Sequence, residues 1–511
     1  MVVLSFVNPV FAAVLIIAFD LYWIMRLIYM NIFLVLSYFR LSSESKTDWM
    51  GLIAGLDRLK TDLSREEPLP GKAALGEKFA KSIHLREYKY IADNRVSLPK
   101  SADIMHLVII PIAKEDKEIV EPGIKSLKSG SFPSAKMLVV MALEGSAPQK
   151  VKEQVYGLQQ EYRQNFFDLL VAEHPQGLAG EARVKGANST YAARLAAGYL
   201  SKKQIAFENV IVSCFDADTV VNPGYFSCLT YYYMITPFRE RTSFQPIPVY
   251  NNNIWEAPGF SRVLDVGSSF FQLIEATNPE QLVTFSSHSM SFKALVDIDY
   301  WPVDMISDDS AIFWKAFIHF DGDYRAVPMF TTVSLDVTVA GNWWRTLVNV
   351  YRQKRRWAWG VENFPIIMRG FLKADKIPLS KKLRHGYKIF EGHISWATWP
   401  FILGVIGWLP AVFSGRQFTS TALYYNAPRI TATIFKLASL GLLTCIILSL
   451  LLLPKKKIKH NMLNRIGHAF EWLFIPLASV ILSALPALDA QTRLMFGRYM
   501  EFWVTEKQRK H

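Results

Sequence analysis

Long apolar runs lie at both ends of the chain, whereas the middle alternates short apolar and polar stretches. The first run, residues 7–39, is interrupted by the charged residues Asp20 and Arg26. It has neither the basic start nor the small-residue cleavage site of a signal peptide, which predicts a retained membrane segment. One long helix or a tight pair of helices would fit this pattern, and Asp20 could pair with Arg26 inside a bundle.

Three further apolar runs lie in the last third of the chain. Residues 393–413 and 431–453 are each long enough to cross a bilayer as a helix. The segment 470–488 is shorter than these two and contains Pro476 and Pro486. It could therefore form either a membrane-spanning helix or a re-entrant hairpin. Together with the first run, these segments predict a multi-pass integral protein of the plasma membrane or inner membrane.

Basic residues indicate the orientation, because short cytosolic loops of membrane proteins are rich in Lys and Arg. A basic cluster at 454–468 belongs in the cytosol, which leaves the loop 414–430 outside. Counting back one crossing puts the polar middle, roughly 40–385, in the cytosol. A basic, cytosolic C-terminal segment then requires an even number of crossings after that middle, which favours a re-entrant 470–488.

The polar middle alternates strand-like and helix-like stretches. Runs rich in β-branched residues indicate strands at 106–113, 135–145 and 210–216, and the Ala-rich stretch 185–200 indicates a helix. This alternation is typical of βαβ units and a mostly parallel sheet. We therefore predict an α/β fold, with a cytosolic Rossmann-like domain fused to transmembrane and interfacial helices.

Acidic residues follow each predicted strand. Glu115 comes after the first strand, Glu144 ends the second, and Asp216 and Asp218 end the third. The carboxyl ends of parallel strands share one edge of the sheet, where open α/β sheets bind ligands. If the third strand stays extended, Asp216 and Asp218 face one spot, where two like charges need a cation or some other compensation. The structural alternative is a turn rich in Asp.

Two later stretches have both a structural and a functional interpretation. Asp308 and Asp309 precede an amphipathic helix, where acids also serve as helix caps. Residues 346–364 interleave basic residues with tryptophans, a pattern that is typical of an interfacial helix lying on lipid.

The net charge of +13 lies mostly beside the apolar segments. This distribution favours anionic membrane lipids over nucleic acid as a partner, and no basic-aromatic nucleic-acid module is visible. Cys214, Cys228 and Cys445 lie in apolar runs without ligand spacing, which argues against a zinc site and fits a reducing compartment.

Four motifs in a fixed order resemble the membrane-embedded inverting glycosyltransferases of family 2, the superfamily of cellulose, hyaluronan and mannan synthases. Asp-x-Asp lies at 216–218, and Ser-Asp-Asp at 307–309 stands where the family has Thr-Glu-Asp. Gln-x-x-Arg-Trp lies at 353–357, and Phe-x-Val-Thr-x-Lys, the gating-loop motif, lies at 502–507. The resemblance covers roughly residues 105–511.

The resemblance implies a catalytic domain of the GT-A type that binds a UDP- or GDP-sugar. Asp216 and Asp218 would hold a divalent Mg²⁺ or Mn²⁺ ion, which neutralises the leaving nucleoside diphosphate. Glu144 stands where the family has an Asp that holds the base. The residues implied to contact the nucleotide sugar are Glu115, Glu144, Lys185, Asp216, Arg356, Thr505 and Lys507.

The resemblance also assigns the catalytic and acceptor residues. Asp309 would be the general base that takes the acceptor proton, with Asp308 beside it. The indole of Trp357 would stack under an acceptor sugar. The stretch around His288 departs from the family's Phe-Cys-Gly-Ser pattern, and His288 could equally be structural. The implied acceptor contacts are Gln353, Trp357, His288 and Ser289.

Five regions follow from these features. They are N-terminal membrane segments at 1–40, a glycosyltransferase domain at 41–340, interfacial helices at 341–387, transmembrane or re-entrant helices at 388–490, and a gating-loop segment at 491–511.

We expect an inverting β-glycosyltransferase that extends a polysaccharide, with export of the product left open. The small number of membrane helices favours two alternatives: a channel shared within a homo-oligomer, and a single sugar addition to a lipid or polyprenyl phosphate. A transporter or a scaffold with structural acids is the non-enzymatic alternative.

Overall fold

A computed structural model describes residues 2–59, 75–93, 97–404, 422–454 and 469–500, and the single residues 409, 412, 467 and 509. The strands are β1 (Met105–Ile112), β2 (Met137–Glu144), β3 (Asp168–His174), β4 (Val210–Cys214), β5 (Val220–Val221), β6 (Thr242–Val249), β7 (Ser289–Ser291) and β8 (Arg325–Ser334). The helices before and within the sheet domain are α1 (Val2–Val7), α2 (Pro9–Glu44), α3 (Trp49–Leu59), α4 (Leu75–Asp93), α5 (Lys117–Lys128), α6 (Gln149–Tyr162), α7 (Lys185–Lys202), α8 (Tyr225–Ile235), α9 (Gly259–Glu275), α10 (Phe292–Asp297) and α11 (Asp308–His319). The helices that follow are α12 (Trp343–Ala358), α13 (Asn363–Lys373), α14 (Leu379–Gly404), α15 (Ala422–Leu452), α16 (Ile475–Ser479) and α17 (Leu485–Met495).

The strands form one eight-stranded sheet in the order β3-β2-β1-β4-β7-β6-β8-β5. The first four strands of that order run parallel to one another, as the βαβ pattern predicts. The short β7 inserts antiparallel between β4 and β6, and β5 pairs antiparallel with β8. The sheet is therefore mixed, with a parallel half. The three residues of β7 are too few to show a period in the sequence.

Both faces of the parallel half are covered, which explains its continuous apolar runs. Along β1, Leu107 and Ile109 pack with α7 and α11, whereas Val108 and Ile110 pack with α5, α6 and α8. Most side chains of β1, β2 and β4 lie in an apolar layer, and the acidic residues of these segments lie at or beyond the strand ends.

The N-terminal apolar run forms the single 36-residue helix α2, and not a tight pair of helices. Its Arg26 forms an ion pair with Glu391 of α14 and donates a hydrogen bond of 2.6 Å to the hydroxyl of Tyr22. The predicted pairing of Arg26 with Asp20 is therefore wrong. Residues six apart do not share a helix face, so the partner comes from a neighbouring helix instead.

Three helices in the described part of the chain are long and apolar enough to cross a membrane: Pro9–Glu44, Ala432–Leu452 and Ala469–Met495. The predicted span 393–413 is not among them, since α14 covers its first part and much of the remainder lies outside the described residues. The predicted crossing at 431–453 coincides with the second helix.

Residues 469–495 form a continuous helical run without a reversal, so the predicted re-entrant hairpin is wrong. Pro476 and Pro486 each fall in the first positions of a helical segment, where the missing amide hydrogen is not needed. Near its start the run pairs with α9, through Glu471 and Arg262 at 3.3 Å. Near its end it pairs with α12, through Asp489 and Arg355 at 2.8 Å. This run is thus bound to the domain close to both of its ends.

A buried histidine joins the end of α2 to the sheet domain. Nε2 of His84 lies 3.0 Å from the Glu44 carboxylate, and Nδ1 lies 2.9 Å from Glu87 and 3.1 Å from the hydroxyl of Tyr231. Burial alone would lower the pKa of His84, but the hydrogen bonds to Glu44 and Glu87 outweigh it and raise the pKa to about 9. The imidazolium therefore ties α2, α4 and α8 together.

This contact predicts a pH-dependent stability. The pKa of His84 in the fold, about 9, exceeds its usual 6.5. The contribution of His84 to the free energy of unfolding is therefore complete below pH 6.5 and is lost as the pH rises through 9. The melting temperature of His84→Gln should fall about 5 °C below that of the wild type at low pH. Scanning fluorimetry should show this gap closing as the pH approaches about 10. The exposed His319 provides the control His319→Gln. A gap for His84→Gln that stays constant with pH would contradict the assignment.

Candidate active site

The predicted acids lie at the carboxyl edge of β1, β2 and β4, where these parallel strands end side by side. The extended geometry does not continue through Asp216, however, because β4 ends at Cys214. The amide of Thr219 donates to the carbonyl of Asp216 at 2.9 Å and closes a turn. The prediction that Asp216 and Asp218 point to one spot as neighbours on an extended strand is therefore corrected.

Lys185, the first residue of α7, bridges two of the predicted site acids. Its ammonium lies 2.8 Å from Oδ1 of Asp216 and 2.8 Å from Oδ1 of Asp309. Burial alone would lower the pKa of Lys185, but the two carboxylates hold it well above its usual value. One buried cation thus joins the turn after β4 to the first turn of α11.

The helix that carries Lys185 can approach α11 closely because its second residue is glycine. A Cβ on Gly186 would collide with the carbonyl oxygen of Pro302 and lie 3.2 Å from Cβ of Asp308. The Gly at this position therefore allows α7, which carries Lys185, to lie close to Asp308 of α11 and to Pro302 before it.

The pair Asp308 and Asp309 begins α11, where the helix dipole favours negative charge. Asp308 is buried, and burial, followed by the charge of Asp309, raises the pKa of Asp308 to about 7. The charge of Arg356 acts in the opposite direction and lowers the same pKa. Asp309 is more open, with 25% of its side chain exposed. Asp309 is thus the member of the pair that can meet a ligand.

The two acids of the Asp-x-Asp motif have separate partners. Oδ2 of Asp216 accepts a hydrogen bond of 2.6 Å from Ser286, and 28% of its side chain is exposed. Asp218 is buried, and its Oδ2 accepts from the backbone amide of Asp336 at 2.7 Å. Asp216 therefore faces the open part of the site, whereas Asp218 lies beneath it.

The acids at the first two strand ends hold local structure. Glu115 accepts hydrogen bonds from the backbone amides of Ala113 and Lys114 at 2.7 and 2.9 Å. Glu144 lies 3.6 Å from Nδ1 of His174, and burial raises its pKa. Glu144 remains at the sheet edge, where a ligand can reach it.

An aromatic cluster lies beside the acids. The ring of Trp357 contacts Phe285 edge-on at 5.8 Å and lies 6.3 Å from Tyr250. The ammonium of Lys354 lies 3.8 Å from the centre of the indole and 3.0 Å from the Asp265 carboxylate. These contacts fix the indole in one orientation. The neighbouring Gln353 is buried.

The loop before β7 contributes less than predicted. Nδ1 of His288 lies 3.1 Å from the carbonyl oxygen of Phe285 and 4.0 Å from Oδ1 of Asp309. Burial lowers the pKa of His288, which keeps the ring neutral. Ser289 is fully buried and shares hydrogen bonds with Ser213 and Tyr225. An acceptor therefore cannot reach Ser289, because its side chain lies inside the sheet core.

The predicted contacts Thr505 and Lys507 lie outside the described residues. The candidate site also contains three residues that the sequence patterns did not predict: Ser286, Asp336 and Arg509. Asp336 follows the end of β8, so the rule that acids end strands would have found it had β8 been recognised.

No group of three or more His, Cys, Asp or Glu side chains within the described ranges is arranged to hold a metal ion. Asp216 and Asp218 supply the oxygen donors that Mg²⁺ and Mn²⁺ prefer. Their chemistry fits such an ion provided that the bound ligand supplies the remaining oxygens.

Part of the chain is similar to known proteins. Residues 211–453 match the family described as glycosyl transferase family group 2. The chain is 24% identical over 327 residues to the poly-β-1,6-N-acetyl-D-glucosamine synthase of Staphylococcus epidermidis. That alignment covers 61% of this chain and 66% of the relative, which is slightly less than two thirds of the relative's length.

Two solved structures are similar at low identity. The mannosyltransferase PcManGT from Pyrobaculum calidifontis, in complex with GDP-Man and Mn²⁺, is 13% identical with a TM-score of 0.45, covering 92% of this chain and 100% of that one. TarS of S. aureus is 13% identical with a TM-score of 0.37, covering 78% and 93% of the two chains. The α/β fold is assigned from the mixed eight-stranded sheet and the helices that cover it.

The close approach at Gly186 predicts that two glycine-to-alanine substitutions within α7 differ in their effect on stability. Gly186→Ala should lower the free energy of unfolding by about 1–3 kcal/mol, because α7 and α11 must separate. A Cβ on Gly198 would meet no other atom within 4 Å, so Gly198→Ala should be neutral or stabilising by up to about 1 kcal/mol. Thermal unfolding of both variants is the measurement. Equal effects would contradict the packing argument.

Proposed function

We propose that the protein is an inverting β-glycosyltransferase that extends a polysaccharide from a nucleotide sugar at a membrane. The premise is the match of residues 211–453 to the family described as glycosyl transferase family group 2. The observation that carries this proposal is the double contact of Lys185. Because its ammonium lies 2.8 Å from both Asp216 and Asp309, the donor-side acid and the base are held within reach of one substrate.

Asp309 acts as the general base. Its carboxylate takes the proton of the acceptor hydroxyl while that oxygen attacks the anomeric carbon of the donor sugar. The bond from that carbon to the diphosphate breaks, and the nucleoside diphosphate leaves with the electron pair. Attack opposite the leaving group inverts the anomeric configuration. Proton transfer by a positioned base typically contributes a factor of about 10² to 10⁴.

Lys185 neutralises the base until the donor arrives. Its ammonium is shared by Asp216 and Asp309 in the structure. A diphosphate carries more negative charge than one carboxylate and competes for the same ammonium. Donor binding therefore frees Asp309 to accept a proton. This ordering favours transfer only when both substrates are present.

We assign donor binding to Asp216, Glu144, Lys185 and Arg356, which lie around the carboxyl edge of the sheet. Asp216, with Asp218 beneath it, would hold a divalent cation together with oxygens of the diphosphate. The ion, when bound, would neutralise charge on the leaving group.

Trp357 provides the acceptor platform. A rigid indole face suits a sugar ring, which stacks its C–H groups on aromatic surface. The edge contact with Phe285 and the cation of Lys354 leave limited freedom for that ring. A fixed platform beside the base favours repeated addition to one growing chain, in keeping with a relative that is named a polysaccharide synthase.

We place the catalytic domain on the cytosolic side of a multi-pass membrane protein. The apolar helices Pro9–Glu44 and Ala432–Leu452 support the membrane part of this assignment. The basic cluster at 454–468 supports the cytosolic orientation when residues 393–413 are counted as a crossing, as the sequence predicts.

The purified protein should be incubated with a panel of UDP- and GDP-sugars, with Mg²⁺ or Mn²⁺ and with excess chelator. UDP-N-acetylglucosamine is the first donor to test, given the name of the relative. Mass spectrometry of the products separates polymer extension from a single addition to lipid. No transfer from any nucleotide sugar would overturn the proposed function, and full activity in chelator would overturn the metal assignment.

The role of Asp309 predicts a selective defect. Asp309→Asn should reduce turnover by about 10²- to 10⁴-fold, because the amide cannot accept the proton. Affinity for UDP, measured by calorimetry, should equal or exceed that of the wild type, because the neutral amide of this variant no longer competes with the diphosphate for the Lys185 ammonium. The nearby Asp304 is exposed, so Asp304→Asn is the matched control. If Asp309 were merely a helix cap, Asn would replace it with little loss of turnover.

A further inference from the structure

Arg509 reaches the carboxyl edge of the sheet from the far end of the sequence. Its Nη2 lies 2.7 Å from Oδ1 of Asp336, and its Nε lies 3.1 Å from both oxygens of that carboxylate. Nη1 donates to the carbonyl oxygen of Glu118 at 3.3 Å, and Nη2 to that of Asp218 at 3.4 Å. One guanidinium therefore contacts three separate segments.

These three segments are parts of the candidate donor site. Glu118 is in the first turn of α5, which follows β1, and Asp218 is in the turn after β4. Asp336 lies just beyond the end of β8. Arg509 thus joins elements that follow three different strands of the same sheet.

Asp336 is connected to the Asp-x-Asp motif by its backbone. Its amide donates to Oδ2 of Asp218 at 2.7 Å, and its own Oδ1 accepts from Asn252 at 2.9 Å. Asn252 donates to the carbonyl oxygen of Asp218 at 2.8 Å as well. The carboxylates of Asp218 and Asp336 are both buried, and buried acids this close need a compensating cation.

We propose that Arg509 is a positioning residue of the donor site, which holds the Asp216–Asp218 turn in its binding geometry through Asp336. This proposal rests on the proposed function. All three guanidinium nitrogens already bond to protein oxygens, so Arg509 acts through Asp336 and the Asp218 carbonyl and not as the main diphosphate ligand.

The burial of the contact separates it from an ordinary surface ion pair. The Asp336 side chain is 0% exposed, and that of Arg509 is 15% exposed. Exposed pairs contribute little to stability, whereas removing one member of a buried pair leaves a charge without compensation. Loss of Arg509 should therefore disturb Asp336 and, through its amide, the turn that carries Asp216 and Asp218.

The test uses the full-length protein in detergent and UDP as the ligand. Calorimetry should show UDP binding about tenfold weaker in Arg509→Gln, with partial recovery in Arg509→Lys, which keeps the charge but not the paired contacts. Exchange of backbone hydrogens in the peptide covering 215–221 should be faster in Arg509→Gln without UDP. Arg498, an exposed arginine near the same end of the sequence, provides the control Arg498→Gln.

A double-mutant cycle with Asp336→Asn tests whether Arg509 acts on UDP binding through Asp336. Arg509→Gln should add little to the loss of UDP binding in Asp336→Asn, because both substitutions break the same contact. UDP binding and exchange in Arg509→Gln that match Arg498→Gln would overturn the inference while leaving the proposed function intact. A wild type that binds neither UDP nor GDP would overturn both.

Discussion

The arrangement of the candidate site depends on the buried ammonium of Lys185. Two carboxylates at 2.8 Å from the same cation are held near each other despite their mutual repulsion. Without that charge, the repulsion between Asp216 and Asp309 would favour their separation. The neighbouring Asp308 belongs to the same cluster: burial raises its pKa to about 7, and the charge of Lys185 lowers it. Lys185 thus holds the two acids of the candidate site together.

The sheet brings these charges together because its parallel strands are covered on both faces. The acidic residues of β1, β2 and β4 and of the segments after them lie where these strands end. Residues from outside the sheet lie beside the candidate site: Arg356 and Trp357 belong to α12, and Arg509 comes from near the end of the sequence. The run 469–495 forms ion pairs with α9 and α12. A helix that is apolar enough to cross a membrane is therefore attached to the sheet domain close to both of its ends.

Local patterns predicted much of this structure. The β-branched runs indicated the positions of β1, β2 and β4, and the acids after them marked the ligand edge. Contacts between distant residues were not accessible, since nothing in the spacing of Lys185 and Asp309 indicates that they pair. The same holds for Arg26, whose partner was expected at Asp20. A turn at Asp216 was the alternative interpretation of that stretch, and the apolar run alone did not show that β4 ends two residues earlier.

A cryo-EM structure of the protein with UDP and Mg²⁺ would test the central role of Lys185 most directly. If the diphosphate competes for the ammonium, one of its oxygens should lie within about 3 Å of the Lys185 nitrogen. The same nitrogen should then lie farther from Asp309 than its present 2.8 Å. A cavity of about 430 Å³ lies at the opposite edge of the sheet, lined in part by Ala102, Lys136 and Asn209. Nucleotide bound in that cavity, with Lys185 still joined to both acids, would contradict this role of Lys185.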